Sequence, residues 1–364
     1  MTAATHTHAG PLGLPLWAWA APLVALAIAG LKLLHVELPP LLLAPVLIVA
    51  VLSAVHHAEV IAHRIGEPYG TLVLALAVTT IEVALIVSLM IAGGTESTEL
   101  ARDTVFAAVM IILNGIVGLC LLVGGTRFGE QSYNLSGASA ALTVLIPLTI
   151  LTMILPNQTL TTPGPTYAPS QLAFVAVISV ILYLTFVFVQ TVRHRDYFLD
   201  PAAAPGSHAA PPANSTALAA AGLLVAALVG VVMIGKALAP AIEAGVAALG
   251  APQALVGVII AGIVLLPEGL AAVRAARADR LQDSLNLALG SALASIGLTI
   301  PAVALVSLLL GFPLTLGLDS EDVLLLILSL LLASLSLRTG RTTILNGVVH
   351  LVVFATYIFL VIIP

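Results

Sequence analysis

The segment from Leu265 to Ala304, LLPEGLAAVRAARADRLQDSLNLALGSALASIGLTIPAVA, decides how the rest of the sequence is interpreted. It places Pro267 and Glu268 near the end of an apolar run, then three arginines, then a second apolar run rich in small residues. A carboxylate inside a run long enough to cross a membrane is costly, so it indicates a functional site. Glu82 is a comparable acid in an earlier apolar run.

The composition sets the class of protein. Hydrophobic residues make up 60% of the chain and charged residues 8%, with a mean hydropathy of +1.17. Soluble domains carry about 25% charged residues, so we expect a polytopic membrane protein. The net charge is −5 and no basic patch is present, which argues against a nucleic-acid partner. The N-terminus lacks the pattern of a signal peptide, so the first apolar run is expected to be retained.

Apolar runs of about 20 residues are long enough to cross roughly 30 Å of hydrocarbon as helices. Eleven such runs predict an all-α protein with about eleven transmembrane helices. Their approximate limits are 15–34, 41–63, 70–92, 104–124, 137–155, 171–192, 216–238, 252–273, 285–311, 322–337 and 343–363.

The basic residues are unevenly distributed between the two sides that these spans define. Nine arginines fall on the side of the N-terminus, whereas Lys32, Arg102 and Lys236 fall on the other. Because Lys and Arg accumulate in cytoplasmic loops, we predict a cytoplasmic N-terminus and a C-terminus outside. The outer loops are rich in acids, which could attract cations or could only keep these loops in water.

A Pro- and Ala-rich stretch divides the spans. We predict an N-terminal tail and first helix over 1–38, a five-helix repeat over 39–195, a cytoplasmic linker over 196–215 and a second five-helix repeat over 216–364. An odd number of spans per repeat inverts one relative to the other, and substrate sites of such transporters lie where the repeats meet. Glu82 and Glu268 each belong to the second helix of their repeat.

Two intramembrane carboxylates suit the exchange of a cation for protons. Burial favours the protonated form of an acid, and hard cations such as Ca²⁺ prefer oxygen ligands, so cation and proton compete for the same groups. Thr79 precedes Glu82 and offers a hydroxyl oxygen. Pro267 can interrupt its helix and free carbonyl oxygens as further ligands. Alternatively, each glutamate caps a helix or pairs with an arginine.

His56, Glu59 and His63 share one face of the second span, because spacings of three, four and seven recur on one side of a helix. Histidine titrates near neutrality, so His56 and His63 are candidates for proton coupling. A stripe of this kind at a helix end can also simply face water.

Two segments carry a family resemblance. HRIGEPYG (His63 to Gly70) with LALAVTTIEVALI (Leu74 to Ile86), and Pro267 to Val303, resemble the conserved regions of bacterial calcium/proton antiporters of the ChaA type. These belong to the cation/proton exchanger branch of the calcium/cation antiporter superfamily. The resemblance implies two inverted five-helix repeats, one extra N-terminal helix and a location in the bacterial inner membrane.

The resemblance also implies functional residues. Glu82 and Glu268 match the two transport glutamates, and Asn114 and Ser291 fall near positions that contribute oxygens to the cation site. The broader family carries Gly-Asn shortly before each glutamate, where this chain has Val78-Thr79 and Val264-Leu265. This departure leaves Na⁺ and K⁺ as alternatives to Ca²⁺.

The expected function is therefore a secondary active antiporter without a cofactor, whose partners are inorganic cations, protons and the lipid bilayer. Association into a homo-oligomer is left open. A passive cation channel would also place acids in the membrane, but it would not need a proton gradient. No catalytic constellation is visible, so an enzyme is not expected.

Overall fold

The computed structural model describes residues 10–66, 69–93, 98–199, 211–311 and 313–363. Within these ranges the chain forms eleven long helices. They are α1 (Leu16–Leu33), α2 (Pro40–Ile65), α3 (Tyr69–Gly93), α4 (Leu100–Phe128), α5 (Leu135–Gln158), α6 (Pro169–Arg193), α7 (Asn214–Ala248), α8 (Ala254–Arg277), α9 (Leu281–Leu310), α10 (Ser320–Ser336) and α11 (Ile344–Ile362).

The predicted all-helical, polytopic fold is confirmed. Ten of the described helices are long and apolar enough to cross a membrane by length and composition. The remaining helix, α10, has 17 residues. This length lies at the lower limit of about 17–25 residues for a crossing helix.

Five predicted helix limits differ from the observed ones by four residues or more. Helix α4 extends four residues further at each end, and α8 ends at Arg277 rather than at residue 273. The other two have identifiable reasons. The span predicted to end at residue 238 continues as α7 to Ala248, because its Ala-rich extension favours a helix and ends only before Gly250, where φ is +67°. The span predicted to begin at residue 285 begins at Leu281 as α9. Asp279 adopts φ +60° in the three-residue turn before it, so the chain reverses earlier than the apolar pattern suggests.

The predicted linker over 196–215 is structured at both ends. Arg195–Phe198 forms a 3₁₀ turn in which Phe198 is buried against Phe186, with ring centroids 5.7 Å apart. At the other end, α7 already begins at Asn214. Residues 200–210, the centre of the predicted linker, lie outside the described residues.

The chain forms two compact units. The first comprises Met1–Leu85 and Gly206–Ile242, and the second comprises Ile86–Pro205 and Glu243–Pro364. Each unit therefore combines segments from both predicted repeats. The division of the sequence into repeats over 39–195 and 216–364 stays a prediction.

In the first unit, a proline determines how α1 attaches to α2. Pro22 lies inside α1 and has no amide hydrogen, so the carbonyl of Ala18 lacks its usual partner four residues ahead. His57 of α2 replaces it, with its Nε2 2.8 Å from that carbonyl oxygen, and the hydroxyl of Ser53 lies 3.4 Å away. The same unit brings α7 against α1, where a Cβ on Gly230 would lie 2.6 Å from the Cβ of Ala25.

In the second unit, glycines let α4 and α11 approach closely. A Cβ on Gly118 would lie 2.9 Å from the Cβ of His350, and one on Gly125 would lie 2.6 Å from the backbone nitrogen of Ile344. Gly347 of α11 lies against the backbone of Leu122. Small residues at such contacts allow close packing of membrane helices.

At one end of the second unit, loops from distant parts of the sequence meet. A short antiparallel ladder pairs β1 (Glu130–Ser132) with β2 (Arg341–Thr343). Gln131 donates to Asp279 Oδ1 at 2.8 Å, and Asn134 donates to the carbonyl of Asp196 at 3.3 Å. The sequence assigned all these loops to one side of the membrane, and their contacts agree with that assignment. That this side is cytoplasmic stays a prediction.

The opposite end of the second unit is also closed by loop contacts. Asn157 donates to the carbonyl of Leu318 at 2.6 Å, and Thr166 forms a β-bridge with Thr315. Tyr167 donates to the carbonyl of Leu151 at 2.6 Å. Burial raises the pKa of Tyr167 to about 12, so its hydroxyl stays a neutral donor.

In the described part of the second unit, four π-helical turns lie within or at the end of the long helices. They are Ile111–Ile116 in α4, Ile150–Ile154 in α5, Val189–Arg193 in α6 and Ser295–Thr299 in α9. Single π turns are rare in proteins overall, but those that occur often lie at functional sites. Those in α4 and α9 occupy the third helix of each predicted repeat, a correspondence that residue types alone did not indicate.

Candidate functional site

The predicted site residues are distributed over both units. Glu82 and Thr79 lie on α3, and His56 and His63 lie on α2, in the part of the chain assigned to the first unit. The second unit contains Glu268 on α8, Ser291 on α9 and Asn114 in the π turn of α4.

The structure brings Glu268 and Ser291 together. The hydroxyl of Ser291 donates to Glu268 Oε2 at 2.7 Å. The geometry follows from the tight turn between α8 and α9: Glu268 lies eleven residues before Asp279 and Ser291 lies twelve after it, so two antiparallel helices place them at the same height. The two residues, which the resemblance assigned separately to the cation site, are in direct contact.

Pro267 does not interrupt its helix. Helix α8 continues from Ala254 to Arg277, with a buried Pro267 inside it. The expected break is therefore absent. Pro267 still has no amide hydrogen, so the carbonyl of Ile263 receives no hydrogen bond from the position four residues ahead. A continuous helix therefore leaves fewer backbone carbonyl groups available as cation ligands than a broken helix would.

A hydroxyl is a suitable partner for an acid that changes its protonation state. When Glu268 is ionised, Ser291 can donate to it, and when Glu268 is protonated, the same oxygen can accept its hydrogen. The contact therefore supports both forms of the carboxyl group. Glu268 is half-buried, and its neighbour Gly269 lies against Ile116 of the α4 π turn, where a Cβ would be 3.2 Å from the Ile116 side chain.

Asn114 has its carboxamide engaged by α10 and α11. Its Nδ2 donates to the hydroxyl of Ser329 at 2.8 Å, and its Oδ1 lies 3.3 Å from His350 Nδ1. The other ring nitrogen of His350 lies 3.2 Å from the hydroxyl of Ser336. Asn114, Ser329 and His350 are fully buried. The role of Asn114 as a cation ligand stays a prediction, and its observed contacts are with other side chains.

Glu82 is buried among apolar side chains. Val78, Ile81 and Leu85 of the same helix are also buried. Thr79 is buried one turn before Glu82, whereas Thr80 is exposed and donates to the carbonyl of Leu76 at 2.6 Å. Of the two adjacent hydroxyls, that of Thr79 is enclosed with Glu82.

The residues on the histidine face of α2 differ in their exposure. His63 and Glu59 are exposed near the end of the helix, whereas His56 is half-buried beside Trp17, with ring centroids 5.1 Å apart. Proton coupling by His56 and His63 stays a prediction. The fully buried histidine is its neighbour His57, which the sequence analysis missed and which donates to α1.

The acids at one end of the second unit are organised by a buried arginine. Arg102 contacts Asp103 Oδ1 at 2.8 Å, Glu99 Oε2 at 3.2 Å and Asp319 Oδ2 at 3.7 Å, and its side chain is 6% exposed. It also donates to the carbonyl of Gly317 at 3.1 Å. These acids were expected either to attract cations or to keep loops in water. They bind a cation supplied by the chain, and the side chains of Glu99 and Asp319 remain 58% and 70% exposed, so these two acids also face water.

The residues that the sequence analysis missed share one property. His57, Arg102, Ser329 and His350 are buried polar residues, and each has at least one partner far away in the sequence; Ser329, for example, follows its partner Asn114 by 215 positions. A lone histidine in the apolar run GVVHLVV was the available signal for His350, because a buried polar group inside a membrane requires a partner.

Among the described residues, no three His, Cys, Asp or Glu side chains lie close enough to hold a metal ion. Near the two glutamates, the hydroxyls of Thr79 and Ser291 are oxygens of another kind. Ca²⁺ accepts such mixed oxygen ligands in flexible geometry.

Comparison with known proteins gives a consistent result. Residues 41–192 and 219–363 match the family described as sodium/calcium exchanger protein. The chain is 50% identical to a putative ionic transporter y4hA of Sinorhizobium fredii over 96% of this chain and 97% of that protein. It is 37% identical to the sodium-potassium/proton antiporter ChaA of Escherichia coli over 84% of each chain.

Solved structures share the fold at low sequence identity. An H⁺/Ca²⁺ exchanger, CAX, superposes with a TM-score of 0.73 at 17% identity, covering 94% of this chain and 88% of that chain. Native YfkE gives a TM-score of 0.71 at 19% identity, covering 95% of this chain and all of that chain.

Proposed function

Because the chain belongs to the sodium/calcium exchanger protein family, we propose that it is a secondary active antiporter that exports a cation in exchange for protons. Glu82 and Glu268 are the groups that bind cation and proton alternately. Thr79, Ser291 and backbone carbonyls contribute further oxygens. Ca²⁺ is the expected cation, because a pair of carboxylates suits a divalent hard ion.

The contact between Ser291 and Glu268 carries this proposal. It holds a carboxyl group on a membrane helix with a neutral partner that accommodates both its ionised and its protonated forms. Exchange requires an acid that is stable in both forms. A carboxylate fixed by an arginine would remain ionised and could not release a cation by taking up a proton.

Exchange of Na⁺ or K⁺ for protons is the second candidate. The Escherichia coli relative, at 37% identity, is named for sodium, potassium and protons. In addition, the Gly-Asn pairs of the broader family are replaced by Val78-Thr79 and Val264-Leu265. Loss of polar ligands favours ions that require fewer strong oxygen contacts.

The test is cation-evoked proton movement in inverted membrane vesicles with an acidic interior, followed with a pH-sensitive dye. Ca²⁺, Na⁺ and K⁺ are added separately, and Glu82→Gln and Glu268→Gln proteins inserted at the same level serve as inactive controls. Proton release with Ca²⁺ supports the main proposal, and release with Na⁺ or K⁺ alone supports the second candidate. Normal exchange by both glutamine variants would overturn the assignment of the glutamates.

A passive channel is distinguished in the same vesicles. An antiporter uses a gradient of one ion to move the other against its own gradient. If an imposed proton gradient fails to accumulate any of the three cations while their downhill flux persists, the protein is a channel rather than an exchanger.

A further inference from the structure

The buried polar cluster of Asn114, Ser329, Ser336 and His350 has a defined direction of hydrogen bonding. Ser329 has the carbonyl of Leu325 at 2.7 Å and Met110 Sδ at 3.4 Å as acceptors for its only hydrogen, so its oxygen accepts from Asn114 Nδ2. Asn114 therefore turns Oδ1 toward His350. Since Oδ1 only accepts, Nδ1 of His350 must carry a hydrogen.

The remaining contact of the cluster follows from the same reasoning. A neutral imidazole with a hydrogen on Nδ1 has a bare Nε2, which accepts from the hydroxyl of Ser336 at 3.2 Å. Every polar atom on the path from Ser336 to Leu325 thereby has a partner of the opposite kind. A satisfied buried network of this sort fixes its members in one arrangement.

The cluster holds the π turn Ile111–Ile116 from one side. Asn114 is bound by α10 and α11, and the adjacent Gly115 lies against the ring of Phe354, 3.4 Å from the position of a Cβ. Gly118, one turn after Asn114, gives His350 the space to approach α4. The Nδ1 donor is thus placed by packing as well as by hydrogen bonds.

The same π turn touches the candidate cation site on its other side. Two residues correspond to about 200° of rotation in a helix, so Ile116 faces roughly opposite to Asn114. It contacts Gly269, the residue after Glu268. Relaxation of the π turn to a regular α-helix would remove one residue from the turn and rotate one of these faces away from its contact.

We propose that His350 is a positioning residue: with Ser329 it fixes Asn114, and through the π turn of α4 it sets the position of Glu268. This inference rests on the proposed function of Glu268. The effect on transport is on cation affinity, because the geometry of a ligand changes while the carboxyl group remains. Loss of an outer partner of a metal ligand typically lowers affinity 10–100-fold.

Two substitutions of His350 distinguish the effect of the Nδ1 donor from the effect of side-chain size. In His350→Asn, the amide nitrogen occupies approximately the place of Nδ1 and can still donate to Asn114, whereas His350→Gln places its amide near Nε2. We expect the KM for the cation in proteoliposomes to rise about tenfold in His350→Gln with maximal rate retained, and to stay within about threefold of wild type in His350→Asn.

A serine pair on α10 provides the matched control. Ser329→Ala removes the acceptor of Asn114, whereas Ser334→Ala removes a hydroxyl that donates only to the carbonyl of Leu330 at 2.7 Å. We expect the KM to rise in the first variant and not in the second. Equal effects of the two serine substitutions, or of the two histidine substitutions, would overturn the proposal.

The hydrogen on Nδ1 is tested without transport. The ¹⁵N NMR spectrum of protein labelled at histidine distinguishes ring nitrogens with and without a hydrogen, and His350→Gln identifies the signal. A hydrogen on Nδ1 and a bare Nε2 support the arrangement, and the opposite tautomer overturns it. If wild-type vesicles exchange no cation, the proposed function fails, and this measurement still decides the hydrogen-bond arrangement.

Discussion

Asp103 and Glu268 are two acids on membrane helices of the same compact unit. Asp103 contacts a charged side chain, whereas Glu268 contacts a neutral hydroxyl. Asp103 lies 2.8 Å from the guanidinium of Arg102, whereas Glu268 accepts from the hydroxyl of Ser291 at 2.7 Å. A guanidinium keeps its charge at every accessible pH and favours the ionised form of its partner. A hydroxyl serves either protonation state. Under the proposed function, the guanidinium makes Asp103 part of the structure, whereas the hydroxyl of Ser291 is compatible with both protonation states of Glu268.

The largest expected effect follows from replacing each acid by its neutral amide. Glu268→Gln abolishes exchange, because the cation loses a charged ligand and the proton loses its binding group. Asp103→Asn retains exchange, because that acid takes no part in the transport cycle. Vesicle assays at matched insertion levels measure both. Loss of exchange in both variants, with both proteins stably inserted, would remove the distinction drawn between the two acids.

The second effect is on stability. Arg102→Ala leaves Asp103, whose side chain is 15% exposed, without its cation, and breaking a largely buried pair in this way costs about 3 kcal/mol. We expect a clear fall in the thermal unfolding midpoint of the detergent-solubilised protein. Arg127→Ala, at an exposed site on the same helix, is the control and changes the midpoint little. Equal midpoints for the two variants would contradict a structural role for Arg102.

The smallest effect sharpens the role of the hydroxyl. Ser291→Ala removes a hydrogen bond to a group that is charged in part of the cycle, which is worth about 1.5 kcal/mol at the lower end and corresponds to roughly a tenfold rise in cation KM. Ser291→Thr keeps the hydroxyl and restores most of the affinity. An unchanged KM in Ser291→Ala would show that Glu268 functions without this partner.

Helix positions were largely predictable, because runs of apolar residues and the charged breaks between them report directly on membrane crossing. The family resemblance assigned both Glu268 and Ser291 to the cation site, and their contact follows from the short turn that places them at nearly equal distances from Asp279. These features depend on residues close together in the sequence.

The π turns and the partners of Asn114 were not predictable in the same way. A π turn adds one residue to a helix without a change in composition, so an apolar pattern does not reveal it. Asn114 was assigned to the cation site by resemblance alone, whereas its observed partners Ser329 and His350 come from helices more than 200 positions away. To predict buried polar pairs of this kind, one must know which faces of the helices are in contact.

The long separation within this pair also affects how the protein is made. His350 follows Asn114 by 236 positions, and at about 5–20 residues per second a ribosome needs roughly 10–50 s to add them. Throughout that interval α4 carries an amide whose imidazole partner has not yet been synthesised. Until α11 enters the membrane, the carboxamide oxygen of Asn114 therefore needs another hydrogen-bond donor, such as water, an insertion factor or a neighbouring helix.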